Sequence, residues 1–330
     1  MKIAVTGGAG FFGSHVVREL IKNGHFVFII DDLTRGRLEN LQGINKQKLS
    51  FMRADFSDPR RAFEWTNLLA RSRTDILVHM ASPMSHNPID HIAGLELAAS
   101  YLRCIKTLRI PTVYISSSSA NTDPATRGLY GQTFRPEGLY GLTKMFIEWA
   151  LTDLKKAGIV PSFVALRPSN LYGPSEVFSG HSHIHVIPNL ILKALLGVNP
   201  IEILGDGSQT RPFTYVEDGV TAIINAIKVA RKGKTVEMAL VHSSQVTIAE
   251  VVTYIMEEVG YGGKITWKKG THIGVASREL PHHDGKLLLN WQPKVSIKEG
   301  IKKTVAWARE HPDRLAMEIL DDRLLGSTLA

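Results

Sequence analysis

Two patterns of apolar residues alternate along the first half of the chain. Short solid runs occur at Ile3-Ala4-Val5, Phe26 to Ile30, Leu49 to Met52, Ile76-Leu77-Val78, Val113-Tyr114-Ile115 and Phe163 to Leu166. Strands covered on both faces have this composition. Between the runs, apolar positions recur at helical intervals, as in Val16, Val17, Leu20 and Ile21. The same spacing returns over about Arg60 to Arg71, Ile89 to Leu108 and the stretch after Tyr140. It predicts helices with one buried face. The alternation predicts a doubly wound α/β fold, a parallel sheet with helices on both faces. Ligands in such sheets bind outside the carboxyl ends of the strands. Asp31, Asp55, Ala81, Ser116 to Ser119 and Pro168 all fall at or just past those ends.

The rhythm loosens after Gly173-Pro174. A helix is expected from Val186 to Leu196, then a turn at Gly205-Asp206-Gly207-Ser208. Phe213-Thr214-Tyr215, the helix after Glu217 and Val236 to Val241 read as a return to the main sheet. Thr247 with Glu250, and Ser296 with Glu299, have the spacing of capping boxes that open two further helices. No repeat or long linker separates the parts, so a smaller α/β region is interleaved with the first. The expected division gives 1–172 and 211–243 to the cofactor-binding part, and 173–210 and 244–330 to the substrate-binding part.

The first run enters Thr6-Gly7-Gly8-Ala9-Gly10-Phe11-Phe12-Gly13 and continues directly into a helix. Gly8, Gly10 and Gly13 fit G-x-G-x-x-G, and Gly7, Gly10 and Gly13 fit the looser G-x-x-G-x-x-G. Such glycines permit the turn, the approach of backbone to a pyrophosphate and close helix–sheet packing. The helix N-terminus attracts the phosphates. The second run ends in Asp31, 18 residues after Gly13, where a carboxylate would bind ribose hydroxyls. Asp31 should repel a 2′-phosphate, favouring NAD over NADP, with Arg35 and Arg37 close by.

Composition narrows the class. With 44% hydrophobic and 21% charged residues among 330, the chain is an ordinary globular protein. Its formal charge of +8 suggests anionic partners. The basic residues are dispersed, which argues against nucleic acid. No run is long and apolar enough to cross a bilayer, and the first run breaks at Gly7-Gly8, so neither membrane nor secretory leader is expected. The one cysteine, Cys104, lies in a helical pattern and reads as a small buried hydrophobe. The expected location is cytoplasmic.

Tyr140 and Lys144, at i and i+4, share one helix face. A neighbouring ammonium favours the phenolate, so the expectation is a tyrosine lowered towards neutrality as a general base, the lysine and a positively charged nicotinamide ring sharing the effect. The serine run 116–119 offers a hydroxyl at the end of the fifth strand.

These stretches, together with Asp31-Asp32-Leu33-Thr34-Arg35-Gly36, Val78-His79-Met80-Ala81, Leu166 to Pro174, Val186-Ile187-Pro188, Gly205 to Arg211, Tyr215-Val216-Glu217-Asp218 and Asn290-Trp291-Gln292-Pro293, occur in one order over most of the chain. The ordered set resembles the extended short-chain dehydrogenase/reductases, specifically the NAD-dependent nucleotide-sugar epimerases and dehydratases. The resemblance implies a Rossmann-type domain in which Gly7, Gly10, Phe11, Phe12, Gly13, Asp31, Asp55, Ala81, Tyr140, Lys144 and Pro168 hold NAD. It implies Tyr140 as base, Ser118 as the assisting hydroxyl and Lys144 on the nicotinamide ribose. Ser118, Asn170, Arg211 and Arg278 would contact a UDP-sugar, the last three at its diphosphate.

The implied reaction is 4-epimerisation of a UDP-sugar of the UDP-glucose/UDP-galactose type through a 4-keto intermediate. The family also contains UDP-glucuronate epimerases, decarboxylases and dehydratases. Dehydratases place an Asp-Glu pair where Ser119 and Ala120 stand, and decarboxylases place a glutamate in this turn. Some relatives serve as NAD-binding regulatory or RNA-binding modules. The family's dimer contact would fall on Ile89 to Leu108 and Tyr140 to Lys156, predicting a homodimer. Departures include Asn121-Thr122-Asp123 after the serines, Gly94 where asparagine is common, and Pro212 after Arg211. His181, His183 and His185 alternate as strand ligands to zinc would, but no cysteine or carboxylate cluster joins them, and no metal is expected.

Overall fold

The computed structural model describes residues 1–82, 88–120, 138–176, 185–241, 245–268 and 285–315. Arg278, His181 and His183 lie outside them. In chain order the main elements are β1 (Lys2–Thr6), α1 (Phe11–Lys22), β2 (Phe26–Asp31), β3 (Leu49–Arg53), α2 (Pro59–Arg71), β4 (Ile76–His79), α3 (Pro88–Leu108), β5 (Thr112–Ile115), α4 (Gly138–Lys156) and β6 (Phe163–Pro168). Then come β7 (Leu171–Tyr172), α5 (Val186–Leu195), β8 (Ile201–Leu204), β9 (Thr210–Pro212), β10 (Thr214–Tyr215), α6 (Val216–Arg231) and β11 (Val236–Val241). The chain finishes with β12 (Gln245–Thr247), α7 (Ile248–Val259), β13 (Ile265–Lys268), α8 (Gly285–Leu289) and α9 (Ile297–Glu310).

The described residues within Met1–Pro168, Gly219–Val241 and Leu280–Gln292 form one compact unit. Those within Ser169–Asp218, His242–Glu279 and Pro293–Ala330 form the other. A seven-stranded sheet in the order β11-β6-β5-β4-β1-β2-β3 organises the first unit. Every pairing in it is parallel.

The solid apolar runs are explained by burial on both faces. Ile3, Val5, Ile76, Val78, Val113, Ile115, Val164 and Leu166 point into one core, with α1 and α6. The alternate residues Ala4, Leu77, Tyr114, Phe163 and Ala165 point into the other, with Trp65, Tyr101 and Ile147 from α2, α3 and α4. This is the period-two alternation of a strand, apolar on both sides. Leu289 and Trp291 join the first core, so the segment 285–292 packs on the sheet unit. Sequence order alone had placed it with the second region.

The second unit is built from small pieces. β10 pairs with β7, β12 with β9 and β13 with β8, each as a two-stranded ribbon. Phe213-Thr214-Tyr215 therefore does not rejoin the main sheet; Thr214 and Tyr215 pair with Leu171 and Tyr172, while Val236–Val241 does rejoin it. The Thr247–Glu250 capping box forms in full, and Ser296 caps α9 by accepting the Glu299 N–H.

Candidate active site

The turn between β1 and α1 is fixed by its own atoms. Gly7 has φ +71°, and a Cβ there would lie 2.9 Å from the Ala81 nitrogen. A Cβ on Gly13 would lie 2.0 Å from the Gly7 carbonyl oxygen, so α1 packs against the turn at a distance only glycine permits. Gly10 is the N-cap of α1, no side chain caps the helix, and its first turn carries no acid. An uncapped N-terminus lined by glycine backbone fits a phosphate.

At the end of β2, Asp31 is 6% exposed. Its Oδ2 accepts the Ala9 N–H and its Oδ1 the Leu33 N–H, both at 2.9 Å. Burial raises its pKa against these backbone donors, which lower it. Asp31 thus braces the glycine turn, and its remaining lone pairs are the ones available to ribose hydroxyls. Asp55, exposed just after β3, accepts the backbone N–H and the hydroxyl of Ser57. Phe12 packs on the core and Phe11 lies edge-on to His15. Pro168 is half-buried at the end of β6.

Between these elements, the Thr6 hydroxyl accepts the N–H groups of Met80 and Ala81. Its own proton is left for His79 Nδ1 at 2.8 Å, which places the imidazole proton on Nε2. Full burial, then the Lys144 charge, pushes the pKa of His79 down, so the ring is neutral, stacked 4.0 Å from Tyr101.

Tyr140 and Lys144 lie on α4 as the spacing predicts. The Ser117 and Ser82 hydroxyls lie close enough to the Tyr140 phenol to oppose the rise that burial gives its pKa. Ser117 Oγ also accepts the Ser119 N–H at 3.1 Å. Ser118, counted from the strand as the assisting hydroxyl, is buried and opens a short 3₁₀ turn, Ser118–Ala120. The strand ends at Ile115, so alternation no longer decides which hydroxyl meets the phenol.

Lys144 is 5% exposed and donates Nζ–H to the Ile115 carbonyl at 2.8 Å. Its Nζ stands 5.7 Å from the centre of the Tyr140 ring. Burial pushes Lys144 down to about 7, opposed by the Glu148 carboxylate one turn on. Burial also raises Tyr140, opposed by the two serine hydroxyls. The shared helix face brings the two groups together as the spacing predicts, and burial acts on both, disfavouring the charged form of each. A small cavity beside them is lined by His79, Tyr114, Tyr140 and Lys144.

The second unit holds a larger cavity of about 190 Å³, lined by Asn170, Tyr172, His185, Arg211, Phe213 and neighbouring aliphatic residues. Asn170 has φ +35°, and its amide donates to the Pro212 carbonyl at 2.9 Å. Arg211, on β9, donates to the Thr210 carbonyl. The structure therefore brings Asn170 and Arg211 to one cavity. His185, read from the sequence as part of a histidine loop facing the anionic substrate, also lines this cavity. Among the described residues no cluster of metal-ligating side chains is found, and no helix is long and apolar enough to cross a membrane.

Residues 3–239 match the NAD dependent epimerase/dehydratase family, and the chain belongs to it. It is 29% identical to the UDP-glucose 4-epimerase of Mycolicibacterium smegmatis over 94% of this chain and 99% of that protein. It is 30% identical to the dTDP-glucose 4,6-dehydratase of Salmonella typhimurium over 93% and 92% of the two chains. The crystal structure of the Thermotoga maritima UDP-glucose 4-epimerase with UDP-glucose superposes with TM-score 0.82 at 25% identity, over 94% of this chain and all of that one. The Rossmann-type fold and the NAD dependence of the family are thus established. Relatives with different reactions stand at similar identity.

Proposed function

We propose that the chain catalyses 4-epimerisation of a UDP-sugar, with Tyr140 as the base. The observation that carries this reading is the cluster of Tyr140, Lys144 and Ser117 at the carboxyl end of β5. The residues of the glycine turn, with Asp31, would hold the cofactor. NAD, when bound, supplies a hydride acceptor. Tyr140 takes the proton of the sugar 4-hydroxyl, and Ser117, with Ser118 beside it, holds that hydroxyl and the phenol. Lys144 orients the nicotinamide ribose, and Asn170 and Arg211 contact the diphosphate. Ser119 and Ala120 carry no acid or base, which disfavours 4,6-dehydration.

Purified protein incubated separately with UDP-glucose, UDP-N-acetylglucosamine, UDP-glucuronate and dTDP-glucose tests this. The expected product is the 4-epimer of one UDP-sugar, and a pentose product or a 4-keto-6-deoxy product would replace the reading by decarboxylation or dehydration. Binding of NAD without conversion of any of the four would favour a regulatory module.

A homodimer accompanies this reading. Leu139, Leu142, Phe146 and Trp149 form an exposed apolar stripe on α4, and Ile92 and Leu95 are exposed on α3. A stripe of that kind is suited to burial against a second copy. Light scattering at micromolar concentration should give twice the 36.5 kDa chain mass, and Trp149→Glu should give the monomer.

A further inference from the structure

The glycine turn is held by a residue that is not part of the glycine pattern. The Ala9 carbonyl accepts the Arg37 N–H at 3.0 Å and the side-chain amide of Asn40, through Nδ2, at 2.8 Å. The Ala9 N–H goes to Asp31, and the Gly10 N–H goes back to the Gly7 carbonyl at 3.2 Å. A trans peptide points its C=O and N–H opposite ways. The Ala9–Gly10 peptide is therefore fixed from both sides, its oxygen by Arg37 and Asn40 and its N–H by Gly7. Gly10 is the N-cap of α1, so the setting of this peptide decides how the helix start is presented to a phosphate.

Asn40 is buried on a short 3₁₀ turn, Leu38–Leu41, in the segment between β2 and β3. The same segment lies against Asp31, since a Cβ on Gly36 would collide with its carboxylate. The segment is also held from outside, by Arg18. This residue is exposed and stands about two turns into α1. Its Nη2 donates to the carbonyls of Asn40 and Gln42, both at 3.1 Å. One chain of bonds thus runs from the surface of α1 through Asn40 to the Ala9 carbonyl, and from the Ala9 N–H to Asp31.

Resting on the reading of the glycine turn and Asp31 as the NAD site, we propose that Asn40 is a positioning residue for the cofactor, held in place by Arg18 from outside the site. Its amide sets the Ala9–Gly10 peptide at the phosphate end. Through Ala9 it also steadies the carboxylate at the ribose end. The groups that would meet the adenosine ribose and the diphosphate are thereby kept in register before the cofactor arrives. Such preorganisation raises affinity because binding has less left to order. Asn40 acts through Ala9, and Arg18 acts through the carbonyls of Asn40 and Gln42.

The test is calorimetric titration of the full chain, freed of bound cofactor, with NAD and with ADP-ribose. Asn40→Ala should weaken both ligands about tenfold, the worth of one hydrogen bond, and by equal factors. Arg18→Ala should weaken both by a smaller factor. Arg18→Lys, which can still donate to a carbonyl, should restore much of that loss. With both alanines together the loss should fall short of the product of the two, since they act through one segment. Urea unfolding without cofactor separates positioning from folding: Arg18 is exposed, so Arg18→Ala should unfold where the wild type does. Wild-type NAD affinity in either alanine variant overturns the proposal, as does a loss for NAD that ADP-ribose does not share. A loss seen only where the variant is partly unfolded overturns it as well. Should Asn40→Ala fail to fold, Arg18→Ala decides alone. Asp31→Ala that binds NAD as the wild type does would remove the reading of the site, and the role of Asn40 with it. Weak binding by Asp31→Ala beside wild-type affinity in the Asn40 variant would leave the site standing without that role.

Discussion

Tyr140→Phe should lower turnover at least about a hundredfold, the low end of what a positioned general base supplies. The substitution keeps the ring and its packing and removes the hydroxyl proposed to take the proton. Cofactor affinity should hardly change, because the glycine turn, Asp31 and Lys144 are untouched. Lys144→Ala should damage both rate and cofactor binding. Its ammonium would orient the ribose, and its bond to the Ile115 carbonyl ties α4 to the end of β5. Ser117→Ala should lower activity, because the Ser117 hydroxyl acts on the phenol. Product formation by each variant, with bound NAD followed by absorbance, decides these points. A Phe variant that epimerises at the wild-type rate would remove Tyr140 from the mechanism.

Glu148→Ala should destabilise the fold by about 3–5 kcal/mol, the usual cost of leaving a buried charge without its partner. Glu148 and Arg167 are 4% and 6% exposed. The guanidinium grips the carboxylate with Nε at 2.8 Å from Oε1 and with Nη2 on Oε2. Removing the acid takes from Arg167 the carboxylate that grips its guanidinium between α4 and β6. The double variant Glu148→Leu with Arg167→Met should recover much of the loss, since a well-packed apolar pair replaces buried ions with little penalty. Urea unfolding of the two single variants and the double variant measures this. The same carboxylate opposes the desolvation of Lys144. Glu148→Gln should therefore move Lys144 below about 7, so any activity that needs its charge should be lost at lower pH than in the wild type. Equal stability of Glu148→Ala and wild type would show that Arg167 finds solvent or another partner.

The elements nearest the turn were the most legible in the sequence because their constraints are local. Gly13 and Asp31 are fixed by contacts within one strand–turn–helix–strand unit, and each constraint writes a residue type at a set spacing. The solid strand runs were readable because both faces of the sheet are buried. What depends on distant partners was not readable. Whether Ser117 or Ser118 meets the phenol depends on a 3₁₀ turn after β5. The raised Tyr140 follows from burial that no helical spacing reports. Thr214-Tyr215 has the composition of a core strand, yet its partner is the two-residue strand Leu171–Tyr172. Glu176 and His185 become partners only through the tertiary fold.

The order of the strands bears on how the chain leaves the ribosome. β6 lies between β5 and β11, and β11 spans Val236–Val241. Throughout synthesis of the intervening residues, β6 is an open, apolar, parallel edge, the kind of surface that invites pairing with another chain. Trp291, which closes the core on one face, is made later still. The nascent protein therefore carries an unfinished sheet for much of its elongation, and a chaperone acting in that interval would find its binding site on β6.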